Sequence, residues 1–292
     1  KGVLNIIHGT GSKAGEAIVS HPDTPIISFT GGTITGEKIS KIAAPMFKKL
    51  SLELGGKNPN IIFNDCNFDK AVSIAVKAAF TNQGQICLCG SRLFVQKGIY
   101  EKFKEAFVLK SKELVVGPPK NNQSNLGAVV SFEHMEKILS RIELAKKEGG
   151  EILLGGKRKI LEGKFKKGYY IEPTIIEGLD YNCKTNKEEI FGPVVSIIPF
   201  DTEEEVINMA NSTKYGLSAS LFTKDVSRSH RVAAKIDSGV VVSIITIGSF
   251  STNIGSAILD LVGGIDSILL LTRTCEYETL RKCVPTLALF VT

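Results

Sequence analysis

Two stretches of this 292-residue sequence carry residue types that can do covalent chemistry. Cys87 lies among small and polar residues in the stretch 80–90, after the predicted end of a helix, and is a candidate thiol nucleophile. Glu53 lies between two leucines and ahead of two glycines, so we expect a partly buried carboxylate that can act as a general base. Together these residues predict covalent catalysis by a cysteine thiol.

Composition narrows the class of protein. A hydrophobic content of 43% predicts at least one large core, with two lobes expected at this length. The formal net charge of +6 is spread along the chain without a basic stripe interleaved with aromatics, which argues against a nucleic-acid partner. The apolar segment 256–271 is too short to cross a bilayer and contains Asp260 and Asp266, so we expect no membrane partner.

The cysteines indicate a reducing compartment. The six of them are irregularly spaced, at positions 66, 87, 89, 183, 275 and 283, which is not a disulfide framework. No second Cys/His pair has zinc-ligand spacing, so no metal site is predicted. Without a visible signal-peptide pattern, the cytoplasm is the expected location. The first residue is not Met, so we expect the sequence to be part of a longer chain.

The elements that must position Cys87 and Glu53 alternate as in an open parallel α/β sheet. Strands are predicted at 3–7, 26–29, 50–54, 60–63, 92–95, 217–222 and 239–245, with a further strand beginning near Val194. Helices are predicted at 13–20, 37–49, 69–80, 100–114, 131–148, 202–211 and 227–235, with Asp69, Ser131 and Thr202 as N-caps. Glycine turns follow the first two strands. Their backbone N–H groups could face a phosphate, or the glycines could only make tight turns.

Four sequence blocks resemble, in the same order, the signature blocks of aldehyde dehydrogenases. They are LELGGK at 52–57, NxGQxC at 82–87, EIFGP at 189–193 and YGL at 215–217. The separation of Glu53 and Cys87 is also similar to that in the family, and the resemblance covers residues 1–242. Within the family, segments 28–31 and 86–97 resemble the 2-aminomuconic semialdehyde dehydrogenase branch of tryptophan catabolism.

The resemblance implies an aldehyde dehydrogenase-like α/β fold. A partial Rossmann-type NAD-binding domain would span 1–54, an α/β catalytic domain 55–245, and a divergent tail of unknown structure 246–292. Cys87 would attack the aldehyde carbonyl, and the thiohemiacetal would pass hydride to NAD, with NADP left open as the alternative. Glu53 would activate the water that hydrolyses the thioester, and the backbone N–H of Cys87 would be one oxyanion donor.

The resemblance also implies a cofactor-binding set and a substrate class. The set is Gly31, Gly32, Gly36, Glu53, Leu54, Gly55, Glu189 and Phe191. Glu189 would bond the ribose beside nicotinamide, Phe191 would pack beside the ring, and Gly32 stands where the family usually has a serine. The substrate would be a small aldehyde, with 2-aminomuconic semialdehyde as the specific candidate, and the intact family implies a homo-oligomer.

Other interpretations stay open at the level of sequence. Cys87 and Glu53 could hydrolyse an activated ester without a cofactor, or the chain could be a truncated, catalytically impaired member that only binds intact subunits. Taken singly, Cys87 could be an inert buried thiol, Glu53 a structural carboxylate and Glu189 part of a solvated turn. Structural roles are expected for Cys66, Cys89, Cys183, His8, His21, His134 and His230, since no partner motif accompanies them.

Overall fold

The chain forms two compact units in a computed structural model that describes residues 3–244, 269–272 and 288–291. Unit 1 comprises Lys1–Gly55 and Thr274–Thr292, and unit 2 comprises Gly56–Arg273. Apart from two short strands, the divergent tail expected over 246–292 lies outside the described residues.

Helices and strands alternate through both units. The helices are α1 (Glu16–Ser20), α2 (Thr33–Ala43), α3 (Phe68–Phe80), α4 (Tyr100–Lys112), α5 (Phe132–Lys147), α6 (Lys184–Lys187), α7 (Glu203–Ala210) and α8 (Val226–Lys235). The strands are β1 (Ile26–Thr30), β2 (Lys49–Glu53), β3 (Pro59–Ile62), β4 (Arg92–Gln96), β5 (Glu151–Leu154), β6 (Arg158–Lys159), β7 (Tyr170–Ile171), β8 (Thr174–Glu177), β9 (Val194–Phe200), β10 (Ser218–Phe222), β11 (Val240–Ile244), β12 (Leu269–Thr272) and β13 (Ala288–Val291). None of the helices described is long and apolar enough to cross a membrane.

Unit 1 is a parallel three-stranded sheet in the order β13-β1-β2. Alternate residues of β1, Ile27 and Phe29, are buried together with Val19 of α1 and Ile39 of α2. This alternation is what a strand with one covered face requires, because side chains point to opposite faces with a period of two. The two helices therefore pack on the same face of the sheet.

Unit 2 is built on an eight-stranded sheet in the order β12-β11-β10-β3-β4-β9-β8-β5. The six inner strands are parallel to one another, and the edge strands β12 and β5 run antiparallel to their neighbours. Ile62 and Leu93 face a core shared with α3 and α4, whereas Ile61 and Phe94 face a core shared with α7 and α8. Helices on both faces explain why all of β3 and the first four residues of β4 are buried.

The predicted strand at 3–7 is wrong. Its apolar side chains are exposed, from 64% at Ile7 to 99% at Val3, and the segment has no strand structure. A strand needs a hydrogen-bonding neighbour, and the segment 3–7 pairs with none of the three strands described in unit 1. Hydrophobicity alone therefore did not make this segment a strand.

Helix ends agree with the predictions only in part. Ser131 and Thr202 are confirmed as N-caps, each accepting a backbone N–H at 3.2 Å. The N-cap of α3 is Asn67 rather than Asp69, so the helix starts early enough for Phe68 to pack on the core. Helix α2 begins about one turn earlier than predicted, directly after Gly32, and gives way to a 3₁₀ turn that contains Pro45.

Candidate functional site

The segment that carries the nucleophile candidate is a strained loop between α3 and β4. Directly after α3, Asn82 (φ 52°), Gln83 (φ 56°) and Gly84 (φ 67°) are consecutive left-handed residues. Such backbone is costly for the two non-glycine residues, so surrounding contacts must hold it. One of them is the Gln83 side chain, whose Oε1 accepts the backbone N–H of Gly127 at 2.8 Å. The half-buried Cys87 follows this turn.

Asn58 holds the loop from the other side. It is 4% exposed and stands just before β3. Its Nδ2 donates to the carbonyl oxygens of Cys87 (2.7 Å) and Cys89 (2.9 Å), while its Oδ1 accepts the backbone N–H of Ser218 at 3.2 Å. A single amide therefore ties the cysteine loop to the start of β10. We did not identify Asn58 from the sequence, although it follows the LELGGK block directly and precedes a buried strand.

Gly56 allows a close approach between two backbone segments. A Cβ at this position would lie 2.6 Å from the carbonyl oxygen of Cys87, so a side chain would displace the loop. The N–H of Gly56 also donates to Oε1 of Glu189 at 3.0 Å, across 133 residues of sequence. The structure thus brings Glu189 and Cys87 to the same backbone segment.

The Glu189–Gly192 turn packs directly on the cysteine loop. Phe191 is also left-handed, with φ at 57°. A Cβ on Gly84 would lie 2.1 Å from the carbonyl oxygen of Gly192, so only glycine fits where the two turns meet. Between them lies a cavity of about 10 Å³, close to the smallest space that holds one water molecule. Cys89 and Glu189 both line this cavity.

These segments meet because four parallel strands begin at one edge of the sheet, here called the amino edge. Asn58 precedes β3, the cysteine loop precedes β4, the Glu189–Gly192 turn precedes β9, and Tyr215 precedes β10. Strands β10, β3, β4 and β9 are adjacent and parallel. The site of unit 2 is therefore at the amino edge, whereas ligands of open α/β sheets usually lie at the carboxyl edge.

Two buried cations lie behind this site. Arg92 is 1% exposed and donates from Nε to the carbonyl of Lys57 (2.9 Å), and from Nη1 and Nη2 to the carbonyls of Met209 and Ala210 (2.9 and 2.7 Å). Burial lowers the pKa of Arg92 to about 9. The pKa of Lys57 is lowered to about 7, first by burial and then by the nearby positive charge of Arg92. Shifts of this size in the pKa of a buried group are typical of functional sites.

The other described cysteines are poor nucleophiles. Burial raises the pKa of Cys66 to about 11 and that of Cys89 to about 12. The pKa of Cys183 is also raised, first by burial and with a contribution from Glu148. These thiols stay protonated at neutral pH, and only the thiolate is nucleophilic. Among the described residues, no group of His, Cys, Asp and Glu could hold a metal ion.

In unit 1, four of the predicted residues lie together. The N–H of Gly31 donates to the carbonyl of Glu53 at 3.0 Å, and Gly36 packs against the side chain of Leu54. Glu53 itself is exposed rather than partly buried. The reason is the strand period, because Leu52 and Leu54 face the core of unit 1 and Glu53 points to the other side of β2.

The start of α2 could hold an anion. Gly32 is its N-cap and supplies no capping side chain, and the hydroxyl of Thr33 is buried without a hydrogen-bond partner. Unsatisfied N–H groups and the helix dipole favour negative charge at such a start. Unit 1 also has a cavity of about 250 Å³. It is lined by Gly11, Ser12, Gly15, Glu16, Val19, Phe29, Thr35, Lys38, Ile39 and Ile42. Its mostly apolar walls with a few polar groups suit a planar ring, so unit 1 fits a phosphate-bearing nucleotide.

Known proteins resemble this chain over most of its length. The 2-aminomuconic semialdehyde dehydrogenase of Mus musculus is 49% identical over 242 residues, which are 82% of this chain and 50% of that protein. The 4-trimethylaminobutyraldehyde dehydrogenase A of Danio rerio is 44% identical over 239 residues, or 82% of this chain and 47% of that protein. The chain spans about half the length of these relatives.

A solved structure and a family model agree with these relatives. A crystal structure of betaine aldehyde dehydrogenase from Staphylococcus aureus in complex with NAD+ superposes with a TM-score of 0.79 at 40% identity, covering 84% of this chain and 48% of that one. The model of the aldehyde dehydrogenase family matches residues 1–249. These matches confirm both the resemblance in the four blocks and the predicted fold class. The chain belongs to the aldehyde dehydrogenase family.

Proposed function

We propose that this chain takes part in the NAD-dependent oxidation of an aldehyde to a carboxylic acid, with Cys87 as the nucleophile. The observation that carries the proposal is the support around Cys87, where Asn58 holds the loop at two carbonyls and Gly56 leaves room for it. Burial raises the pKa values of the thiols of Cys66, Cys89 and Cys183, which makes these three poor nucleophiles. A nucleophile needs this kind of rigid placement more than a packing residue does.

The first half of the proposed reaction forms and oxidises an adduct on sulfur. The Cys87 thiolate attacks the aldehyde carbon, so an S–C bond forms and the carbonyl oxygen becomes an oxyanion, which the backbone N–H of Cys87 can stabilise. The carbon of this thiohemiacetal then loses hydride, the oxyanion collapses to a carbonyl, and a thioester remains on Cys87. Bound NAD+ supplies the acceptor for that hydride.

The second half releases the acid. Glu53 takes a proton from water, the water oxygen attacks the thioester carbon, and the S–C bond breaks to give the carboxylic acid and the Cys87 thiolate. The exposed position of Glu53 at the end of β2 leaves its carboxylate open to water.

Cofactor residues are proposed in each unit separately. In unit 1, Gly31, Gly32 and Gly36 lie at the start of α2, followed along the chain by Glu53, Leu54 and Gly55. The uncapped helix start, the unpartnered Thr33 hydroxyl and the cavity of about 250 Å³ fit the phosphates and a base of a dinucleotide. In unit 2, Glu189 would bind a ribose hydroxyl and Phe191 would pack beside the nicotinamide ring. We accordingly propose unit 1 as the NAD-binding domain and unit 2 as the catalytic domain.

For the substrate we propose 2-aminomuconic semialdehyde. The support is the 49% identity with enzymes of that name from Mus musculus, Bos taurus and Homo sapiens, compared with 44% for a 4-trimethylaminobutyraldehyde dehydrogenase. Both names describe small aldehydes, so the substrate class is a small aldehyde in either case. A cytoplasmic location and a homo-oligomer remain part of the proposal.

The test is NADH formation by the purified chain with a panel of small aldehydes, beside Cys87→Ser and Glu53→Gln. Cys87→Ser should abolish turnover, because a serine hydroxyl stays protonated at neutral pH and is a far weaker nucleophile than a cysteine thiolate. Glu53→Gln should keep a first-turnover burst of NADH but lower the steady-state rate by about 10² to 10⁴-fold, as expected for loss of a general base.

The matched control is Cys183→Ser, a half-buried cysteine of unit 2 outside the proposed site, which should retain turnover. A folded chain that binds NAD+ but forms no NADH with any aldehyde would contradict independent activity. Product formation from an activated ester without NAD+, dependent on Cys87, would instead identify a thiol esterase.

A further inference from the structure

One stripe of α5 faces the turn that carries Glu189 and Phe191. His134, Ile138 and Arg141 are spaced as i, i+4 and i+7, so their side chains lie on the same side of the helix. Each of them contacts the segment 188–192, here called the 188–192 turn. A helix that meets one turn at three points is a support for that turn.

The first contact is a hydrogen bond to a left-handed residue. Nε2 of His134 lies 2.6 Å from the carbonyl oxygen of Phe191. A carbonyl oxygen can only accept, so Nε2 carries the proton and donates. The two rings also meet edge to face, with centroids 6.1 Å apart and planes at 70°. Phe191 has φ at 57°, which an L-residue adopts only when its surroundings compensate.

The other two contacts hold the rest of the turn. Nη2 of Arg141 lies 2.5 Å from Oε2 of Glu188, which anchors the start of the turn by a charge-assisted hydrogen bond. Ile138 packs against Gly192, where an added Cβ would lie 2.6 Å from its Cδ1. Of the three contacts, only the one from His134 acts directly on the strained residue.

We propose that His134 is a positioning residue that holds Phe191 in its left-handed conformation and thereby fixes the surface that the 188–192 turn offers to the cofactor. The second half of this statement rests on the proposed function, because it takes Glu189 and Phe191 to be cofactor contacts. The first half rests only on the contacts of His134. From the sequence we expected His134 to be merely structural, and the hydrogen bond to Phe191 gives it a defined task.

The test compares two variants of similar size, His134→Gln and His134→Leu. A glutamine amide can donate to the Phe191 carbonyl, whereas leucine fills the space without a donor. Amide hydrogen exchange of a peptide covering 188–194 should be about tenfold faster in His134→Leu than in the wild type, and close to the wild type in His134→Gln. The matched control is His230→Leu on α8, an exposed histidine, for which exchange of this peptide should not change.

NAD+ binding tests the part that rests on the proposed function. Calorimetry should show a dissociation constant for NAD+ that is about three- to tenfold higher in His134→Leu and restored in His134→Gln.

The two experiments distinguish the role of His134 in holding Phe191 from the effect of that role on NAD+ binding. Equal exchange in the leucine and glutamine variants would overturn the role of His134, whatever happens to NAD+. Faster exchange in His134→Leu with unchanged NAD+ affinity would overturn the link to the cofactor. If the wild-type chain does not bind NAD+ at all, the proposed function fails, while the exchange experiment still decides whether His134 holds Phe191.

Discussion

Replacing Asn58 with alanine should loosen the cysteine loop and destabilise unit 2. The change removes two donors, to the carbonyls of Cys87 and Cys89, and one acceptor, for the N–H of Ser218. Each buried hydrogen bond is worth about 0.5–1.5 kcal/mol net, so we expect a loss of about 2–4 kcal/mol in the free energy of unfolding. For a domain of this size the midpoint of thermal unfolding should fall by roughly 6–12 °C.

The thiol of Cys89 reports on the loop independently of stability. Its pKa is raised to about 12, so only about one molecule in 10⁴ is thiolate at pH 8, and iodoacetamide should barely label it. Near the ordinary value of 9.0 the thiolate fraction would be about one in ten. Opening of the loop in Asn58→Ala should therefore raise labelling of Cys89 by at least tenfold, measured by mass spectrometry of the Cys89 peptide.

The matched control is Asn60→Ala. Asn60 lies on β3, is 1% exposed, and makes a hydrogen bond to the Ser220 hydroxyl at 2.9 Å while its Nδ2 lacks a partner. Asn60→Ala should lower the free energy of unfolding by only about 1 kcal/mol. Cys89 should stay unlabelled in this variant. The reasoning would be refuted if the free energy of unfolding of Asn58→Ala were within about 1 kcal/mol of the wild-type value and Cys89 stayed unreactive. Asn58 would then not hold the loop.

Two further predictions concern the same loop. Gly84→Ala should destabilise unit 2 by about 3 kcal/mol or more in urea denaturation, because it adds left-handed strain and a Cβ 2.1 Å from the Gly192 carbonyl. The matched control is Gly149→Ala, because Gly149 also has a positive φ but an added Cβ there would meet nothing within 4 Å. This variant should lose only about 1–2 kcal/mol in the free energy of unfolding. Equal losses in the two variants would show that the contact with the Gly192 carbonyl has no effect. Stability should also fall as pH rises from about 9 to about 12, because the unfolded chain ionises the Cys89 thiol while the folded chain keeps it protonated. Cys89→Ala should flatten that part of the curve.

Local patterns predicted most elements of the fold. Strands β1 to β4 and the N-caps Ser131 and Thr202 follow from apolar runs and from capping side chains, which act over a few residues. Where the structure differs from these predictions, the presence or absence of contacts with residues distant in sequence explains the difference. The segment 3–7 is apolar but pairs with no described strand, and α3 starts after Asn67 because Phe68 packs on the core.

The candidate site was likewise predicted from the sequence only in part. The four blocks predicted the family, and they indicated Cys87, Glu53, Glu189 and Phe191 as candidates without showing how those residues are supported. Two of the supporting residues, Asn58 and His134, lie outside the blocks. Asn58 was missed because its partners are not its neighbours in sequence, and His134 was expected to be structural because no acidic or nucleophilic motif adjoins it.

By itself the sequence determined most of the segments that become strands and helices, which residues could react, and to which family the chain belongs. The tertiary structure decided which of them meet. Asn58 reaches Cys87 across 29 residues, His134 reaches Phe191 across 57, and Gly56 reaches Glu189 across 133. The physical reason is strand order, because parallel strands that are distant in sequence begin side by side at the amino edge and bring the segments before them together.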